Sequence, residues 1–246
     1  MSDKAFYEDF YTHFNEDSLR WRDRSGAAKA RNIVKIIGDV SVRTVLDIGS
    51  GTGAVLANLA QSNFGAQYWA VDISEEAIEL LWRRDDIPGL VEARVFDGDR
   101  IPYQDQQFDL AILSHVLEHL ADPRLLLLEA ARVAHYVVVE VPLEANMYTY
   151  LKVHIFKSDY REKIGHIQWF TQHSFRELIE RTCGLEVVCL QMAYVPDELY
   201  FMRKQGAVRI LTSLLVKLRK ILRALSSRLY SRLLTDHCIA FVCSRS

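Results

Sequence analysis

The residues best suited to chemistry fall in four short stretches. The first is Asp47-Ile-Gly-Ser-Gly-Thr-Gly53, a loop with Gly49, Gly51 and Gly53 at alternate positions around Ser50. After a strand, such spacing lets the backbone turn tightly and presents amides to a ligand at a helix N-terminus. The second and third are acids closing apolar runs: Asp72, followed by Ile73, and Asp97, followed by Gly98. An acid about twenty residues past a glycine loop can take two ribose hydroxyls. Asp97 with Gly98 can hold an adenine edge. The pyrophosphate-binding GxGxxG spacing is not matched, because Gly53 comes early and Ala54 follows it. A ligand with an amino-acid end and a nucleoside end suits Asp47, Asp72 and Asp97 better than a dinucleotide.

The fourth stretch is Ser114-His-Val-Leu-Glu-His119. Histidines four apart could ligate zinc, yet the HExxH pattern needs a glutamate where Val116 stands. Ser114 and His115 are therefore expected in a ligand crevice. Glu118 is expected as a first-turn acid, and His119 as a packing residue of the helix that leaves the crevice. No metal is expected. His115, Glu140 and His166 are candidate bases, with His115 and His166 the expected catalytic residues. Tyr7, Tyr11 and Trp21 could form a lid or simply pack.

The elements that must hold these residues alternate. AAKARNIVKII has helical periodicity and ends at Gly38; TVLDI, QYWAVD, VEARVFD, FDLAILS and YVVVEVP read as strands with continuous apolar runs, separated by helical segments. HVLEHLADPRLLLLEAARVA reads as helical, with Pro123 restarting it, and Ser74 and Thr171 read as N-caps. LEVVCLQMAY and CIAFVCSR supply two further strands. This calls for an α/β fold with a parallel sheet covered on both faces. The expected organisation is an N-terminal helical cap over 1–38, a core formed by 39–195 and 237–246, and an inserted helical segment over 196–236.

VLDIGSGTG, AVDIS, FDGDRIPYQDQQFDLAILSHVLEHLADP and VVVEVP, in that order, resemble the successive motifs of class I S-adenosylmethionine-dependent methyltransferases. The resemblance is closest to the small-molecule, ubiquinone-biosynthesis-like group (methyltransferase type 11), and covers roughly residues 40 to 190. It implies a Rossmann-like seven-stranded, mostly parallel sheet whose last strand, CIAFVCSR, is antiparallel. It places Asp47, Gly49, Ser50, Gly51 and Gly53 at the methionine part of the cofactor and Asp72 at the ribose. Ile73, Asp97 and Gly98 fall at the adenine, and Ser114 and His115 near the methyl donor. Some relatives carry a glutamate where His115 stands, giving an ExxEH that can hold a divalent cation; this chain departs there. The implied activity is methyl transfer to a hydroxyl or amine of a small or lipid-linked acceptor, with S-adenosylhomocysteine as product. A cofactor-binding protein without turnover, in a regulatory or partner role, is the alternative.

Charge is distributed unevenly. The net charge is -2 over 246 residues, yet residues 203–236 carry nine basic residues against the single Asp236. Leu211, Leu214, Leu215, Leu218, Leu222, Leu225 and Leu229 recur three and four apart there, with Arg209, Lys217, Lys220 and Arg223 expected opposite them. This pattern fits a helical cap over the substrate, a peripheral membrane contact or a homodimer interface. The run lacks interleaved aromatics and its host is acidic, so no nucleic acid is expected. Cys183, Cys189, Cys238 and Cys243 show no paired spacing, and MSDKAFYEDFYTHFNED is too acidic for a signal peptide. A cytoplasmic protein, monomeric or dimeric, is the expectation.

Overall fold

The computed structural model describes residues 4–155, 165–202, 206–226, 230, 233–234 and 236–244. Two helices, α1 (Lys4–Thr12) and α2 (Glu16–Ile37), precede β1 (Thr44–Ile48). There follow α3 (Ala54–Gln61), β2 (Gln67–Asp72), α4 (Glu75–Trp82), β3 (Leu90–Val95) and β4 (Phe108–Ser114). Then come α5 (Pro123–Val133), β5 (Ala134–Pro142), α6 (Met147–Tyr150), α7 (Gln172–Glu177) and β6 (Glu186–Ala193). The C-terminal part adds α8 (Asp197–Phe201), α9 (Gly206–Leu225) and β7 (His237–Cys243).

The seven strands form one sheet in the order β3-β2-β1-β4-β5-β7-β6. The first five run parallel, while β7 is antiparallel to both β5 and β6. The continuous apolar runs are explained by burial on both faces. Leu46, Ile48, Leu113 and Val139 pack on one side with Leu126, Leu127 and Phe175. Val45, Leu110, Ile112 and Val138 pack on the other with Ile33, Leu56 and Leu59.

Local chemistry sets the helix ends. The Ser74 hydroxyl accepts from the Ala77 amide, Thr171 and Ser174 form a reciprocal capping box, and Gly38 closes α2 at φ 62°. One expected helix is not formed as written. Residues 115–122 are not its first turns: His115 takes a left-handed φ of 61°, and Leu117–His119 make a single 3-10 turn. Leu120 and Asp122 are extended, and α5 begins only at Pro123. The cause is local. The residue before proline is pushed out of the helical region, and the Asp122 side chain caps the Arg124 amide.

The helix α9 is also oriented unexpectedly. Thr212, Val216 and Arg219 face the protein, while Ile210, Leu214, Leu215, Leu218, Ile221 and Leu225 are 48% to 72% exposed. Arg223, expected among the outward basic residues, instead turns inward to Asp236. Leu229 lies outside the described residues. Among the described residues no helix is long and apolar enough to cross a membrane.

Candidate active site

Three cavities meet at the carboxyl ends of β1, β2, β4 and β5. The first, about 130 Å³, is a slot between Gly49, Asp72, Ile73, Phe96, Gly98, Ser114, His115 and Leu126, closed above by Tyr7 and Tyr11 of α1. The second is small, about 50 Å³, and brings Asp47, Ser50, Thr52 and Ser114 together beneath Arg22 and Lys29 of α2. The third, about 320 Å³, has an aromatic wall from Phe6, Phe10 and Trp21 and a polar floor of His115, His119, Glu140, His166 and His237. His115 borders the first and third.

The glycine loop needs its glycines at two positions. Gly49 has φ 70°, and a Cβ there would lie 2.6 Å from Val116 Cγ2. Gly51 has φ 54°, with the Tyr11 hydroxyl in the same close relation. Asp72 receives the Gly51 amide on Oδ2 at 2.7 Å and the Ser74 amide on Oδ1 at 3.0 Å. Each carboxylate oxygen keeps a second lone pair for a further donor. Glu8 of α1 accepts from the Ser74 hydroxyl and the Glu75 and Glu76 amides at the start of α4. That bond set clamps α1 over the slot, and Arg22 stacks on Phe10, Tyr11 and Phe14.

The sequence-expected cofactor residues divide. Asp47, Gly49, Ser50, Asp72, Ile73, Gly98 and Ser114 line the first two cavities, and Gly51 and Gly53 shape the loop between them. Asp97 does not join them: it is exposed, and its Oδ1 accepts from the Asp99 and Arg100 amides of its own loop. The buried atoms Asp47 Oδ2, Ser50 Oγ, Thr52 Oγ1 and Ser114 Oγ have no hydrogen-bond partner among the described residues. A cluster of unpartnered donors and acceptors beside an apolar slot fits a ligand with a zwitterionic amino-acid end and a flat nucleoside end. S-adenosylmethionine has that form. Burial pushes the Asp47 carboxyl up to about 7, with the Lys29 charge opposing the rise and Asp72 adding to it.

The histidines form one connected group. His115 Nδ1 lies 3.2 Å from Glu118 Oε1, and His115 Nε2 lies 3.2 Å from His237 Nδ1. His237 Nδ1 is 2.8 Å from Glu140 Oε1, and His166 Nδ1 is 2.6 Å from Glu144 Oε2. Glu118 is fully buried and faces His115 and, at 3.9 Å, His166 Nε2. Burial works against its charge, but His115, His119 and His166 outweigh that and hold it down to about 2. Glu118 is therefore the charged centre of the group, and it lies in the 3-10 turn before α5 instead of in the first turn of that helix. His119 is likewise part of this group, its ring 4.7 Å from that of His166. Two trios, His115-Glu140-His237 and Glu118-His119-His166, bring ligand-type atoms within 4.8 Å of one another, close enough to surround a divalent ion.

Arg22, Lys29 and His237 are site residues that sequence reasoning missed. Arg22, Ser25, Gly26 and Lys29 share one face of α2, where polar residues replace the apolar spacing; that break in periodicity was the available signal. His237 carried none, since only the register Pro142–His237 between β5 and β7 brings it to the crevice.

The order of the sheet, the glycine loop and the acid ending β2 define a class I S-adenosylmethionine-dependent methyltransferase fold. A family model described as a methyltransferase domain matches residues 11–190, and the chain belongs to that family. It is 34% identical over 95 residues to ajmaline N-methyltransferase of Rauvolfia serpentina, covering 37% of this chain and 32% of that one. It is 30% identical over 103 residues to demethylmenaquinone methyltransferase of Tropheryma whipplei, covering 42% of each. The matches thus span well under half of these relatives. Among solved structures, a putative methyltransferase in complex with the Haloferax volcanii Trm112 activator aligns with a TM-score of 0.67 at 18% identity, covering 97% of this chain and 98% of that one. Geranyl diphosphate methyltransferase with geranyl diphosphate and sinefungin gives 0.63 at 13% identity, covering 89% and 78%. These two likenesses describe the fold.

Proposed function

We propose that the protein transfers the methyl group of S-adenosylmethionine to a hydroxyl or amine of a small or lipid-linked acceptor, releasing S-adenosylhomocysteine. The observation that carries this reading is the position of His115, which borders both the cofactor slot and the aromatic cavity. A donor in one chamber and an acceptor in the other would meet at that residue.

When bound, S-adenosylmethionine supplies a methyl on a sulfonium, which needs no further activation. The protein's task is alignment and exclusion of water. Asp72 would take the ribose hydroxyls, and Asp47, Ser50, Thr52 and Ser114 would satisfy the amino-acid end. Ile73, Phe96 and Leu126 would line the slot for the ring. Tyr7 and Tyr11 close the slot from above. His115 and His166 stand on the acceptor side, where a base helps a hydroxyl more than an amine.

A lipid-linked acceptor is favoured by α9. Its outward apolar stripe, with exposed Lys217 and Lys220 beside it, has the form of a helix lying in a membrane interface. The stripe is coupled to the acceptor cavity: Pro196 and Leu199 line that cavity, and Asp197 between them pairs with Lys220 of α9 at 2.6 Å. Peripheral contact from the cytoplasmic side would bring an acceptor headgroup to the aromatic wall.

Calorimetry with S-adenosylmethionine and with NAD tests the cofactor. Binding of NAD alone would overturn the reading. Consumption of the methyl donor in the presence of acceptor-bearing membranes separates an enzyme from the alternative, a protein that binds the cofactor without turnover.

A further inference from the structure

Resting on the methyltransferase reading, we infer that His237 is the catalytic base, that Glu140 positions it, and that the acceptor group is a hydroxyl rather than an amine. The argument is one of tautomers. Glu140 is at the end of β5, 1% exposed, with Oε1 turned to His237. A carboxylate only accepts, so the 2.8 Å contact to His237 Nδ1 places a proton on that nitrogen. His115 Nε2, 3.2 Å from the same Nδ1, can then only accept as well. His237 Nε2 is left with its lone pair, on a residue that lines the acceptor cavity and not the cofactor slot. This is the acid–imidazole logic by which a buried carboxylate fixes a histidine as a general base.

An imidazole nitrogen with a free lone pair is of little use to an amine that arrives deprotonated, and of direct use to a hydroxyl. In the step, the acceptor oxygen forms its bond to the methyl carbon as the carbon–sulfur bond breaks. The hydroxyl proton passes to His237 Nε2 and from there to solvent. The sulfonium charge is thereby balanced by the released proton.

The test uses the full-length protein with 15N-labelled histidine, alone and with S-adenosylhomocysteine, and long-range 1H–15N correlation at pH 7.5. The signal that disappears in His237→Gln identifies the residue. A neutral Nδ1–H tautomer in the wild type is the expected result, shifting towards Nε2–H in Glu140→Leu. If that variant does not fold, the wild-type tautomer decides alone. An Nε2–H tautomer, a doubly protonated ring, or a stoichiometric metal lost in His237→Gln overturns the proposal. In detergent micelles containing 4-octylphenol or octylamine as probes, His237→Gln should lower phenol methylation at least a hundredfold with the Kd for S-adenosylmethionine unchanged. Amine methylation that is undiminished and faster than that of the phenol also overturns it. Loss of S-adenosylmethionine binding in the wild type would instead overturn the methyltransferase reading, whatever the tautomer.

Discussion

Arg219 and Leu218 are neighbours on α9, yet the arginine is 8% exposed and the leucine 48%. The charged side chain is inside because Asp236, fully buried just before β7, accepts from Arg219 at 3.2 Å and from Arg223 at 3.0 Å. Tyr230 donates to the same carboxylate. With two cations satisfied inward, the leucines are left to face outward. If that face meets lipid, Leu214→Glu with Leu218→Glu should abolish co-sedimentation with vesicles containing phosphatidylserine. Lys217→Glu should weaken it by roughly tenfold, since one basic residue near an anionic surface contributes ~1 kcal/mol and reversal removes more. Calorimetry should find cofactor affinity unchanged in both variants. A concentration-dependent dimer lost with the leucine pair, and no vesicle binding in the wild type, would assign the stripe to a second copy of the chain.

The same network makes a stability prediction. Asp236 also accepts from the Val195 amide at 2.9 Å, so it ties β6, α9 and β7 together. Asp236→Ala leaves two inward-facing guanidiniums without their anion, and removal of one partner of a buried charge set costs about 3–5 kcal/mol. Arg219→Met should cost less, because Arg223 and Tyr230 still serve the carboxylate. Urea unfolding of the two variants gives the comparison. Equal losses would show that the network is not organised around Asp236.

How much of this was legible in the sequence depends on the range of the interaction responsible. The five parallel strands were legible because burial on both faces demands continuous apolar runs. The caps Ser74 and Thr171 were legible because their partners lie three residues away. The break between His115 and Pro123 was not, because the apolar spacing HVLEHL continues helically up to it. A left-handed His115, a 3-10 turn over Leu117–His119 and extended Leu120 and Asp122 interrupt it. The direction of α9 depended on a single acid 17 residues beyond Arg219; amphipathic spacing shows that a helix has two faces, not which one turns in. Asp97 followed the family pattern in sequence, while in the fold its carboxylate serves its own turn.

Gly49 supports a sharper test of the cofactor slot than its side-chain residues do. At φ 70° an alanine occupies the left-handed region, which costs about 1–2 kcal/mol, and its Cβ would sit 2.6 Å from Val116 Cγ2. Val116 lies just beyond His115, so relief of the clash would move the wall shared by the two chambers. Gly49→Ala is expected to weaken S-adenosylmethionine binding at least tenfold by calorimetry. Adding Val116→Ala should restore part of that affinity, because the Cβ then has room. Affinity in Gly49→Ala equal to wild type would remove this loop from the binding site.

Asp47 gives a pH dependence whose sign can be worked out. Its carboxyl is 2% exposed and is pushed by burial from 3.8 up to about 7. Between those values the folded state holds a proton that the unfolded chain has released, so stability falls as pH rises across that window. Below 3.8 the contribution is complete, and above about 7 it is lost. Glu118 works the other way: held down to about 2 from 4.5, it loses its contribution as pH falls. The two are separated by comparing the wild type with Asp47→Asn, which has no proton to release at this site. Without cofactor, the variant should be more stable than the wild type at pH 8, by a few kcal/mol on the scale of 1.36 kcal/mol per unit of pKa. The two should converge near pH 4. A bound cofactor ammonium beside Asp47 would favour the ionised carboxylate, so S-adenosylmethionine should stabilise the wild type more at pH 8 than at pH 6, and the variant about equally at both. Melting temperatures at three pH values, with and without cofactor, check every part of this. Parallel curves for the two proteins would mean that Asp47 stays ionised throughout.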